Sequence, residues 1–129
     1  KAFFKDLVRS SSDSQRQCCC DTIEAAFALA GMKVEFDGAY PAWQPSPASP
    51  IVELMREGYR ELFNEEAHVQ VCHAGLECSV ILSHCPGMDV VSFGPTLRSP
   101  HTPDERVLID SVGKYYNFVL ETLKRIPKK

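Results

Sequence analysis

The sequence predicts an α/β chain whose strands run parallel and are joined by helical crossovers. Three observations carry that expectation. The second block reads helix, strand, helix, strand, helix, the alternation that builds parallel sheets. The first block reads strand, helix, strand, with one apolar face on each element. A length of 129 residues with 44% hydrophobic and 24% charged side chains matches one globular domain and excludes collagen, coiled coil and disorder.

Lys5 to Arg9 alternate loosely as a short strand, and Ser10 to Ser14 offer several N-caps, so a helix is expected from about Asp13. Cys19, Ile23, Ala26, Phe27 and Ala30 recur at helical spacing along it, and Gly31 supplies a left-handed stop. Met32 to Phe36 alternates as a second strand. Pro41, Pro45, Pro47 and Pro50, with Trp43 among them, favour extended backbone and mark the clearest boundary in the chain. Ser49 and Pro50 form an N-cap and N1 pair opening a helix with the stripe Ile51, Leu54, Met55, Tyr59, Leu62 and Phe63.

Val69 to Cys72 reads as a strand, Leu76 to Cys85 as a helix closed by Pro86-Gly87, and Met88 to Phe93 as another strand. Thr102-Pro103-Asp104-Glu105 is a capping-box pattern, which predicts a helix beginning at Thr102. Its expected buried stripe is Leu108, Val112, Tyr115, Tyr116, Val119, Leu123 and Ile126.

Charge and composition narrow the partners. A net charge of -3 and a pI near 5.8 leave no electrostatic footprint for phosphate backbones, so nucleic acid is not an expected partner. No apolar run approaches the ~18 residues of a membrane span, so no membrane partner is expected either. Six cysteines, three of them in the run Cys18-Cys19-Cys20, do not read as a disulfide framework, and a reducing cytoplasm is the expected compartment. The triplet points three ways on a helix, which leaves at least one thiol exposed. Cys72, His73, Cys78, His84 and Cys85 lack the spacing of a zinc cluster; Cys78 and Cys85 read instead as buried thiols. The chain opens at Lys1 directly in an apolar-polar alternation and is expected to be part of a longer protein.

In parallel sheets ligands gather beyond the C-terminal strand ends. Two segments have that address: His73-Ala74-Gly75 and Gly94 to His101. His101, in a loop before Thr102, suits a metal ligand, although spacing alone leans toward packing over the helix start and does not settle the choice. Glu105 is better explained as the cap than as a second ligand. His73 and the small residues after it fit either a carboxylate site at a helix start or a turn that needs a small residue. There is no G-x-S-x-G elbow, Walker loop or G-x-G-x-x-G.

Cys72-His73-Ala74-Gly75-Leu76-Glu77-Cys78, and the long run from Ser92 through Gly94-Pro95-Thr96-Leu97-Arg98-Ser99-Pro100-His101-Thr102-Pro103-Asp104-Glu105 to Val107, resemble the C-terminal signatures of the aminoacyl-histidine dipeptidases, carnosinase-type zinc metallopeptidases. The stretch Val34 to Pro50 is similar to the same family's passage from lid to catalytic domain. Ser79 in place of glycine, Pro100 and Thr102 around the histidine, and the cysteine triplet depart from the pattern.

The resemblance implies that the chain is roughly the last quarter of a zinc exopeptidase. Residues 1–42 would be the trailing strand-helix-strand of an α+β lid and 43–129 the C-terminal part of the catalytic domain. It implies two zinc ions in the parent protein, His101 as a metal ligand, and His73 with the Gly75 amide as substrate-carboxylate contacts. The general base and the other metal ligands would lie upstream, so no catalytic residue is expected within the chain, and the isolated chain is expected to be inactive. The implied substrate is an Xaa-His-type dipeptide; the isolated chain, with strand edges exposed, is expected either to form a homodimer through an exposed strand or to keep a sheet rearranged from its parent. Two other readings stay open: a stand-alone binding or oligomerisation module, and a related zinc exopeptidase with another peptide substrate.

Overall fold

The computed structural model describes residues 3–46, 48–72 and 77–127. Four helices and a two-stranded sheet follow in the order α1 (Asp13–Leu29), α2 (Pro50–Phe63), α3 (Glu77–His84), β1 (Leu97–Arg98), β2 (Arg106–Val107) and α4 (Ile109–Arg125). The chain divides into two compact units, Lys1–Pro47 with Gln70–Met88, and Ala48–Val69 with Asp89–Lys129.

In the first unit, α1 starts where the serine run predicts. Ser12 is the N-cap, its hydroxyl accepting from the Gln15 amide, and Gly31 follows the helix at φ 70°, a conformation glycine adopts without steric cost. The half-covered face is Arg16, Cys20, Ile23 and Phe27, offset from the predicted one so that Cys20 takes the place expected of Cys19. Cys18 and Cys19 are exposed, as the triplet requires. Phe27 meets Phe4 at 6.0 Å between ring centroids. The first turn of α1 also holds the segment after Gly38: Asp13 Oδ1 accepts from the Ala42 amide at 3.1 Å, and the Arg16 guanidinium donates to the Tyr40 carbonyl. α3 spans eight residues and buries Ser79, which is 2% exposed. Cys78 is only half-buried and Cys85 is exposed, contrary to the expected buried pair.

The second unit is built on α2 against α4. Ser49 and Pro50 open α2 as predicted, with the Ser49 hydroxyl accepting from the Val52 amide at 3.3 Å. Asn64, at φ 52°, closes it in the left-handed conformation. Tyr59, Phe63, Phe93, Tyr115 and Phe118 interlock at edge-on and tilted angles, the Tyr59 and Phe118 rings 5.3 Å apart at 89°. Met55 and Phe118 are the buried apolar side chains of the core. Charged groups rim it: Lys114 Nζ lies 4.5 Å from the Phe63 ring centroid and 2.8 Å from Glu65, while Arg125 joins Glu61 and Glu121 at 2.6 and 2.9 Å.

The structure corrects three further expectations. Among the described residues, segments 5–9, 32–36, 69–72 and 88–93 enter no strand ladder, and the sheet is the antiparallel pair Leu97↔Val107, Arg98↔Arg106. Alternation encodes a face, but a strand forms only where a neighbour satisfies its backbone groups. The mixed α/β character stands; among the described residues no parallel strand pair is formed. The last helix starts at Ile109, not at Thr102, since the capping-box residues are used to wind a turn and Arg106–Val107 pair with β1. Finally, α4 buries Phe118 and Thr122 while Leu108, Val112, Tyr116, Leu123 and Ile126 of the predicted stripe are exposed. The apolar residues of α4 ring more than one face, and packing against α2 selected the Tyr115–Phe118 side.

Candidate metal-ligand loop

β1 and β2 form a hairpin whose loop, residues 99–105, carries His101. Two non-glycine residues of this loop take left-handed backbone conformations, Ser99 at φ 50° and His101 at φ 63°. Such conformations cost steric energy and persist where surrounding contacts over-determine them. Here the contacts are local. The Thr102 hydroxyl donates to the Ser99 carbonyl at 2.8 Å and accepts from the Asp104 amide at 3.2 Å, and the Glu105 amide donates to the Thr102 carbonyl at 3.0 Å. Glu105 Oε2 then accepts the His101 amide at 2.7 Å, a short, charge-assisted bond. The Thr-x-x-Glu pattern therefore performs capping chemistry on a turn in place of a helix: Glu105 does reach back to an orphan amide, but the amide is that of His101. The hairpin is tied to α4 as well, through Leu108 donating to the Thr96 carbonyl at 2.9 Å and Thr96 donating to Ser111 Oγ at 2.9 Å.

His101 is exposed. Its imidazole is a donor of the right chemistry for one coordination position. Among the described residues no group of three or more His, Cys, Asp or Glu side chains is placed to hold a metal ion. The described residues thus fit one share of a metal site and do not build one by themselves. His73 and Gly75, the substrate-contact expectations, lie outside the described residues. His84 is turned onto its own helix, Nδ1 lying 2.9 Å from the Val80 carbonyl.

Two features of this unit escape sequence reasoning. One is the register that sets Arg98 opposite Arg106 at the foot of the loop; only the turn geometry reveals it. The other is Asp89, whose carboxylate accepts from the Ser49 hydroxyl and the Ile51 amide. An acidic residue 40 positions from a helix start gives no local signal.

The sequence profile of Peptidase family M20/M25/M40 matches residues 3–125 of the chain. The chain belongs to this family. Within M20, it is 47% identical over 123 residues to the cytosol non-specific dipeptidase of Escherichia coli (strain K12), covering 95% of the chain and 25% of that relative. It is also similar to the crystal structure of aminoacylhistidine dipeptidase from Vibrio alginolyticus, with a TM-score of 0.76 and 40% identity over 93% of the chain and 24% of that protein. This M20 chain therefore spans about a quarter of the length of the relatives it matches. Among the described residues, no helix is long and apolar enough to cross a membrane.

Proposed function

We propose that this chain is the His101-bearing part of a metal-dependent dipeptidase of the M20 family, acting on Xaa-His-type dipeptides with two zinc ions. The observation that carries the reading is an exposed imidazole on a hairpin loop whose strained backbone is pinned by Glu105, in a chain that matches the peptidase profile over residues 3–125. Backbone strain held in place by specific contacts concentrates at functional sites. Both relatives are named as dipeptidases, one as non-specific and one for aminoacylhistidine; the second name supports peptides with a C-terminal histidine as substrates.

In this reading His101 supplies one neutral nitrogen ligand, and His73 with the Gly75 amide holds the substrate's terminal carboxylate. Residues 1–42 close the lid domain and residues 43–129 close the catalytic domain. Bound divalent metal supplies an activated water at neutral pH; the general base and the remaining ligands belong to the part of the enzyme outside this chain.

The test uses the complete enzyme. His101→Ala is expected to lower the bound metal per subunit and abolish most dipeptide hydrolysis, while circular dichroism stays unchanged. Full metal content with normal turnover in the variant overturns the reading.

A further inference from the structure

We propose that Glu105 is a positioning residue for His101: it holds the histidine backbone in the left-handed conformation from which the imidazole meets the metal. The inference rests on the proposed function above and deepens it. His101 carries a Cβ, which in the left-handed conformation crowds the following carbonyl, so its φ of 63° is held by contacts rather than by backbone preference. The Glu105 carboxylate, 2.7 Å from the His101 amide, is such a contact.

Three details separate this role from ordinary turn-making. The turn is already closed without the carboxylate, by the Thr102 hydroxyl to the Ser99 carbonyl and by the Glu105 amide to the Thr102 carbonyl. The side chain of Glu105 adds a bond only to the residue that carries the imidazole. And Glu105 makes no ion pair among the described residues, although Arg106 follows it in sequence. A carboxylate that serves a backbone N–H fixes the direction of the chain at that amide, and removing a group that orients a metal ligand typically costs about 10- to 100-fold in metal affinity.

Chelator competition for Zn²⁺ on the complete enzyme tests the proposal, with thermal melts as the control for folding. Glu105→Ala is expected to weaken Zn²⁺ binding by about 10- to 100-fold. Glu105→Gln, whose amide oxygen still accepts the bond, is expected to restore most of it. Glu105→Asp keeps the charge but shortens the reach by one methylene, and falls between the two; it replaces the alanine variant should that one not fold. Zn²⁺ affinity equal to the parent in Glu105→Ala or Glu105→Asp, or a glutamine variant as weak as the alanine one, overturns the positioning role. His101→Ala runs alongside. If it retains Zn²⁺ and activity, the proposed function and the positioning role fall together; if it loses both while Glu105→Ala keeps them, only the positioning role falls.

Discussion

Asp89 and Ser49 meet at the start of α2, with Asp89 Oδ1 2.7 Å from Ser49 Oγ and its second oxygen 2.9 Å from the Ile51 amide. Ser49 is 4% exposed and caps the Val52 amide at the same time. The pair brings a negative charge to the positive end of a helix and satisfies two of its orphan donors, the amides of Ile51 and Val52. Asp89→Ala removes both bonds and leaves the Ser49 hydroxyl buried with one partner fewer. It is expected to lower unfolding free energy by about 1–2 kcal/mol, measured by denaturant titration, with Asp89→Asn losing less.

Phe118 is the hub of the aromatic cluster, in ring contact with Tyr59, Phe63 and Phe93. Truncating it leaves a cavity that three rings cannot all collapse into. Phe118→Ala is expected to cost about 3 kcal/mol or more, read as a lower unfolding midpoint. Val112→Ala, on an exposed face of the same helix, is expected to change it by less than about 0.5 kcal/mol.

The ion pairs between α2 and α4 set an acid sensitivity. Hydrogen bonding from Arg125, reinforced by its charge, holds Glu61 below the ordinary glutamate value, and Lys114 does the same to Glu65. A carboxyl whose folded pKa is depressed adds stability above its unfolded pKa and loses it as pH falls through the folded one. Stability is therefore expected to decline on acidification through and below the usual glutamate range, and less steeply in high salt because these groups are exposed. A Glu61→Gln, Glu65→Gln double variant is expected to flatten that part of the curve in unfolding titrations at stepped pH.

Arg98 and Arg106 face one another across the hairpin, a like-charge pair that opposes strand pairing. Arg98→Glu converts it to an attractive pair. The expected gain is about 0.2–1 kcal/mol at low salt, shrinking as salt is added; a loss of stability at every ionic strength would show that Arg98 has a different partner.

Helices were the legible part of this chain. Ser12, Ser49, Pro50 and Gly31 announced their boundaries through local chemistry, and the bonds they make are the ones their residue types promise. The strands were not legible as a sheet, since the alternation in 32–36 or 88–93 says which side is apolar and nothing about which backbone lies alongside. The Thr102 to Glu105 pattern shows the same limit within a single motif. Its chemistry was readable, but whether a threonine and glutamate three apart cap a helix or clip a loop depends on Arg106–Val107 pairing back to Leu97–Arg98. His101 was legible as a candidate, whereas its left-handed backbone and its bond to Glu105 were not, because the proline before it and the threonine after it both permit a helix start.

The histidine and the carboxylate that grips it lie four positions apart on one short ribbon. The apparatus that aims this side chain is thus portable: it travels with a dozen consecutive codons and asks little of remote elements. Insertions or exchanges elsewhere in the protein can redraw the surroundings without disturbing its bearing, whereas a single deletion between the two residues would.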